Sequence, residues 1–247
     1  MSVSGNDAEG LRSLGFPDVP GGYIEESLDL DGESLRFCRP ADPDGLLNVP
    51  EVVAAFDRDG DAPYWPLLWP PAVAMAQSVS RADWTRTATV LEAGCGIGLA
   101  GLAAASRGWT VAASDSQRDA VTLAVANAAW NGLRLEGLVL DWRRPIDRRF
   151  DVILGCEIIY DAALHEPLLS MLSAMLSTQG EVWLADHGRM HAPLFARRAE
   201  AAGFAVTLVD ENDRPLSEFR TAAYQLIKLR RQNRDREGAL VGDREPI

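Results

Sequence analysis

Val90-Leu91-Glu92-Ala93-Gly94-Cys95-Gly96-Ile97-Gly98 is the stretch on which the reading of this chain turns. A short apolar run of strand character enters a loop of alternating glycines, and an apolar segment of helical composition follows from about Leu99 to Arg107. Strand, glycine loop and helix in that order build a nucleotide-cofactor site. The glycines lack a Cβ and let backbone and ligand approach closely, and the helix start presents free N–H groups to whatever binds there. Gly96-Ile97-Gly98-Leu99-Ala100-Gly101 also fits the GxGxxG dinucleotide fingerprint, with Asp115 as an acid at the end of the next expected strand. A nicotinamide enzyme is therefore one reading. Glu92 points to another: a carboxylate two residues before the first glycine repels a pyrophosphate and favours a cationic amino-acid end. S-adenosylmethionine, with its ammonium and sulfonium, has that character.

At 247 residues and 47% hydrophobic content the chain is sized for one large domain with a full core. No apolar run reaches the roughly 18 residues needed to cross a bilayer. The segment MSVSGNDAEG lacks the basic start and apolar core of a signal peptide, so a cytoplasmic protein without membrane contact is expected. Cys38, Cys95 and Cys156 are odd in number and lack metal-ligand spacing, which favours reduced, buried thiols and no metal site. A formal charge of −12 opposes general attraction to nucleic acid. Lys228, Arg230, Arg231, Arg234 and Arg236 run into a mixed-charge end that reads as solvated tail.

Four regions are expected. Residues 1–22, rich in Gly, Pro, Ser and Asp, read as poorly ordered. Residues 23–62 hold a hairpin, because two strand-like runs meet at Asp31-Gly32, and a connecting segment with a short helix over about 49–57. Residues 63–229 form the main domain and 230–247 a charged, disordered tail. After a helix over 72–79, strands are expected at 89–93, 109–114, 134–140, 150–155, 181–185, 204–209 and 221–229. Helices lie between most of them: Ser116 or Asp115 caps one reaching Asn131, Asp161 caps one with Leu164, Leu168, Met171, Leu172, Met175 and Leu176 on one face, and another covers 190–202. The pattern predicts a Rossmann-like α/β fold, with a mostly parallel seven-stranded sheet, helices on both faces, an antiparallel last strand and an N-terminal β-hairpin.

In such a sheet the residues just beyond the strand ends share one crevice. Asp115 there suits ribose hydroxyls as well as a helix cap, Asp141 an adenine amino group, and Trp142 the face of its ring. Gly155-Cys156-Glu157-Ile158-Ile159-Tyr160 ends the fourth strand, where a transferred methyl would lie. LEAGCGIGLAG, SD at 114–115, LDW at 140–142 and LGCEIIYD at 154–161 together resemble the seven-strand S-adenosylmethionine-dependent methyltransferases. Within them the chain is most similar to the family-16, protein lysine methyltransferase-like group, through YWPLLWPPAVAMA ahead of the core and the D/E-x-x-Y/F motif at Glu157–Tyr160. The resemblance runs from about 63 to 228, and departs from the family's pattern at Glu157, where Asp is commoner, and at Cys156, where Ala is usual.

The resemblance implies cofactor contacts from Trp69, Glu92, Gly94, Gly96, Asp115, Trp142 and Cys156, with Glu157 and Tyr160 at the substrate amine. The activity it implies is direct in-line methyl transfer to a protein lysine, with no metal and no covalent enzyme intermediate, catalysed mainly by positioning. The fold class it implies often works as a monomer. The alternatives are a small-molecule amine N-methyltransferase and an inactive methyltransferase-fold binding module. Adenine methylation of nucleic acid is disfavoured, since no Asn/Asp-Pro-Pro-Tyr/Phe sequence follows the fourth strand. The histidines are scattered; His187, after Asp186 at the fifth strand's end, is placed where it can approach the site, but a solvated loop role is the favoured reading.

Overall fold

The structure, a computed structural model, describes residues 10–11, 13–59 and 63–232. The expectations for residues 1–9 and 233–247 lie outside the described residues. A hairpin of β1 (Tyr23–Leu30) and β2 (Glu33–Pro40) comes first, in the register Leu30↔Glu33. Asp31 and Gly32 both have positive φ (53° and 94°), the backbone that a two-residue hairpin turn demands. Ahead of it Phe16 is buried, edge-on to Tyr23 and Trp130.

After α1 (Pro50–Asp59) and α2 (Ala72–Ser80), strands and helices alternate. They are β3 (Thr89–Ala93), α3 (Leu99–Ser106), β4 (Thr110–Asp115), α4 (Arg118–Trp130), β5 (Glu136–Val139) and β6 (Phe150–Cys156). Then come α5 (His165–Met175), β7 (Leu176–Asp186), α6 (Ala192–Ala201), β8 (Phe204–Val209) and β9 (Gln225–Arg231). The seven-stranded sheet has the order β5-β4-β3-β6-β7-β9-β8. Pairing is parallel from β5 to β7, while β9 runs antiparallel to both β7 and β8. The order reverses between β3 and β6, so the crevice beyond their carboxyl ends is where a ligand fits.

Side chains alternate across a strand, and both faces of this sheet are buried. Val90, Val152 and Leu154 face a core built with α2, α3, α4 and the hairpin. Leu91, Ala93 and Ile153 face a second core built with α5 and α6, including Leu168, Met171 and Phe195. The same alternation puts Glu92 on the Val90 side, toward α3.

Several boundaries differ from the sequence reading. The strand expected at 221–229 starts only at Gln225, because Ala222 adopts left-handed φ (49°) where the chain bends around Gly188. β5 is four residues rather than the expected 134–140: Leu133 N–H still closes the end of α4 on Ala128 C=O, and Leu140 N–H turns to Asp115 C=O. Asp161 does not cap α5; its carboxylate accepts Ala163 N–H at 2.8 Å and the helix begins at His165. Asp115 likewise accepts Gln117 N–H (3.0 Å), one residue before α4 starts.

The hairpin is docked by two asparagines one turn apart on α4. Asn127 Oδ1 accepts Cys38 N–H (2.8 Å) and its Nδ2 donates to Cys38 C=O (3.0 Å); Asn131 pairs in the same way with Arg36 N–H and C=O. Residues two apart on a strand thereby meet residues four apart on a helix, each amide standing in for a neighbouring strand.

Candidate active site

A cavity of about 860 Å³ opens at the β3/β6 switch point, within the size range of small-molecule sites. Trp69, Glu92, Gly94, Gly96, Asp115 and Asp141 line it. Trp142, Cys156, Glu157 and Tyr160 line it too, so every site residue singled out in the sequence borders one space.

The glycine loop is shaped by contacts that a Cβ would destroy. At Gly94 (φ 65°) it would lie 2.7 Å from Ile158 Cγ2 and 3.5 Å from the Trp142 ring; at Gly96 (φ 51°), 3.1 Å from the Trp65 carbonyl oxygen. Glu92 is buried, and its two oxygens accept N–H groups of the first turn of α3, from Ala100 (3.2 Å) and Gly101 (3.0 Å). A Cβ on Gly101 would sit 2.5 Å from Glu92 Oε2. The last glycine of the GxGxxG match therefore makes room for a carboxylate, and the donors a pyrophosphate would need are already engaged. This counts against the dinucleotide reading. Burial pushes the Glu92 carboxyl up to about 8, against the pull of those two N–H groups. A ligand ammonium nearby would favour its charged form.

Asp115 reaches across to the loop: its Oδ2 accepts Gly96 N–H (3.1 Å) while Oδ1 holds Gln117 N–H. Burial raises its carboxyl as well. Asp141 Oδ1 accepts Arg143 N–H (3.0 Å). The Cys156 thiol is pushed well up by burial and then by the charges of Glu157, Glu92 and Asp186, so it stays protonated and is a poor nucleophile.

Beyond β6 the chain turns through Glu157 with φ 57°, a left-handed conformation that non-glycine residues hold only when their surroundings dictate it. The surroundings are these. Glu157 Oε1 accepts His187 N–H (2.7 Å), Oε2 pairs with Arg189 Nε, and the side chain is 1% exposed. His165 Nε2 donates to Ile159 C=O (3.0 Å) and fixes the next turn. Tyr160 is 37% exposed, with its ring edge-on to Tyr64 at 5.8 Å; Tyr64 meets Trp69 at 6.0 Å. Arg189 lies over Trp69, 5.3 Å from the ring centroid.

Arg189, Tyr64 and Trp65 were not singled out from sequence as site residues, and His187 takes part through its backbone N–H. The available signal was Asp186-His187-Gly188-Arg189 at a strand end. Asp186 is fully buried, and its Oδ1 accepts Gly188 N–H (2.7 Å), Arg189 N–H (2.9 Å) and Gln225 Nε2–H (2.9 Å). Gly188 (φ 72°) packs so tightly that a Cβ would fall 2.6 Å from Ala222 N.

A family model described as lysine methyltransferase matches residues 66–200. No curated protein matches. Among solved structures, a ribosomal protein L11 methylase from Lactobacillus delbrueckii subsp. bulgaricus aligns over 68% of this chain and 81% of its own, at 20% identity and TM-score 0.56. A TehB-like S-adenosylmethionine-dependent methyltransferase from Corynebacterium glutamicum aligns over 77% and 100%, at 18% identity and TM-score 0.56. A T. thermophilus 16S rRNA N2 G1207 methyltransferase, in complex with S-adenosylmethionine and guanosine, aligns over 88% and 52%, at 16% identity and TM-score 0.59. These three share the fold.

Proposed function

The chain belongs to the lysine methyltransferase family and is an S-adenosylmethionine-dependent methyltransferase, and on that premise we propose that it methylates a lysine side chain of a protein substrate by direct transfer to the amine. The observation that carries this reading is the Glu157 carboxylate, buried beyond β6 in left-handed backbone and bordering the same cavity as the glycine loop and Tyr160. The residues fit the cofactor: a glycine loop held at positive φ on the cavity wall, and buried carboxylates beside it. Glu92, Gly94, Gly96 and Trp69 would hold its amino-acid end, Asp115 the ribose, Asp141 and Trp142 the adenine, and Cys156 would pack below. When bound, S-adenosylmethionine supplies a methyl group activated by its sulfonium.

The rest is the work of this chain's residues. Glu157 accepts a hydrogen bond from the incoming amine and orients its lone pair, and the Tyr160–Tyr64 pair walls the approach. The amine enters as an ammonium paired with Glu157 and, once seated there, gives up its proton to water at the cavity mouth before attack. Cys156 stays a protonated thiol, so no covalent enzyme intermediate is invoked. Catalysis is then chiefly a matter of holding two reactants in line.

Transfer of labelled methyl into a lysate's proteins and, separately, its small molecules tests the reading, with wild type and Glu157→Ala compared. Label at protein lysine, lost in the variant, is expected. Label confined to small molecules would move the assignment to a metabolite amine. Cofactor binding without transfer to either pool would leave a binding module.

A further inference from the structure

We infer that Arg189 is the resident occupant of the acceptor subsite, a cation that an incoming ammonium displaces, and that it thereby selects cationic acceptors over neutral ones. The inference rests on the reading of Glu157 as the acceptor-side carboxylate. Arg189 holds one oxygen of that carboxylate and covers Trp69, so its guanidinium bridges two residues that line the cavity.

A buried carboxylate stripped of its counter-ion is costly, so Glu157 releases Arg189 only in exchange for another cation. The guanidinium keeps its charge throughout, so Arg189 leaves Glu157 as a cation. A lysine ammonium brings the same charge, donates to the same oxygen and offers its own attraction to the Trp69 face. A neutral hydroxyl or aromatic acceptor offers Glu157 no charge in return.

The framework is built for exchange of a side chain rather than for opening of a loop. Asp186 Oδ1 pins the Gly188 and Arg189 N–H groups, Gln225 holds the same oxygen, and Gly188 is wedged against Ala222. The Arg189 side chain itself is 39% exposed, against 1% for Glu157, so it has a solvent side to swing to while its backbone stays fixed.

The experiment uses the full chain saturated with S-adenosylhomocysteine, with n-butylammonium as the probe for a lysine side chain and binding followed by NMR. Arg189→Ala and Arg189→Met are compared with wild type, the methionine keeping apolar bulk over Trp69. In both variants n-butylammonium is expected to bind about tenfold tighter than to wild type, since the competing occupant is gone. Added guanidinium should compete with it, and Glu157→Gln introduced into Arg189→Met should abolish the gain. Unchanged or weaker n-butylammonium binding in both variants would overturn the inference. So would guanidinium that promotes n-butylammonium binding, because Arg189 would then be a positioning residue whose charge must stay. No methyl group moves in this experiment, so its failure leaves the lysine reading standing. Conversely, label found only outside protein lysine would overturn that reading alone.

Discussion

The two halves of the cavity are held by different kinds of bond. On the β3/β4 side, carboxylates are tied to backbone: Glu92 to the Ala100 and Gly101 N–H groups, Asp115 to those of Gly96 and Gln117. On the β6/β7 side only one oxygen of Glu157 is tied to backbone, by the His187 N–H, while the other pairs with the Arg189 side chain, which lies over Trp69. The first arrangement is a mould, set as the chain folds and intolerant of change. The second is exchangeable, because a charged partner can be swapped without disturbing a strand or helix. Substitutions in the cofactor half should therefore change stability and cofactor binding together, whereas those in the acceptor half should act on the acceptor and leave cofactor affinity level.

The largest effect is expected at Gly98, which has φ 83° and whose added Cβ would lie 2.5 Å from Ala124 Cβ. Gly98→Val combines left-handed strain with overpacking, each of order 1–3 kcal/mol, so about 4 kcal/mol of stability should be lost in urea unfolding. Calorimetry should find S-adenosylmethionine binding lost with it. A variant that bound cofactor normally would show that the loop is not a mould.

Next comes Asn127, which docks the hairpin and also donates to Ile97 C=O at 2.9 Å, inside the glycine loop. Asn127→Ala strands buried groups of Cys38 and Ile97, for about 3 kcal/mol. Cofactor affinity should fall beyond what Asn131→Ala causes, since only Asn127 touches the loop. Equal effects on affinity would confine the amide to docking the hairpin.

These two asparagines mark what a sequence conceals. That the glycine-loop residues border one cavity was legible because the determinants are local: a strand, glycines two apart, and an acid at each of the next two strand ends. Glu92 was recognised as a discriminating charge, yet its engagement with α3 and the room that Gly101 makes for it depend on which face of β3 it occupies. Arg189 stood unmarked because its partner Glu157 is 32 residues earlier, and no periodicity links a loop arginine to a strand-end glutamate. The asparagines' i, i+4 spacing read as ordinary helix, since the strand they pair lies 89 residues away at Cys38. The strand expected at 221–229 lost its start to the turn that Gly188 imposes, a tertiary constraint without local trace.

Glu92→Gln gives a smaller effect with a definite sign. The folded carboxyl titrates at about 8 and the unfolded one near 4.5, so between those values the folded state keeps a proton that the unfolded state has released. Its contribution is fully present below the unfolded value and is lost as pH rises through the folded one. Ligand-free wild type should therefore weaken between about pH 4.5 and 8, by on the order of 1 kcal/mol per pH unit from this group. Glu92→Gln should flatten that part of the slope and at pH 8 be about 2 kcal/mol more stable than wild type. The neutral side chain also lacks a charge for the ammonium, so cofactor affinity should fall about tenfold. A variant whose stability tracks wild type across this range would place the titration elsewhere.

The smallest effect belongs to the acceptor half. Tyr160 is 37% exposed and presents its ring edge-on to Tyr64, which in turn meets Trp69. If its work is to wall the amine channel, the ring matters and the hydroxyl does not. Tyr160→Phe should then shift stability by no more than about 0.5 kcal/mol and kcat/KM by less than about threefold. Tyr160→Ala removes the aromatic contact, about 1 kcal/mol, and opens the wall, so KM for the acceptor should rise about tenfold with kcat less affected. Cofactor affinity should stay level in both, which is the signature separating this half from the glycine loop. Should Tyr160→Phe lose kcat as heavily as Glu157→Ala, the hydroxyl would be taking part in the transfer, and the acceptor half would be chemical machinery rather than an exchangeable wall.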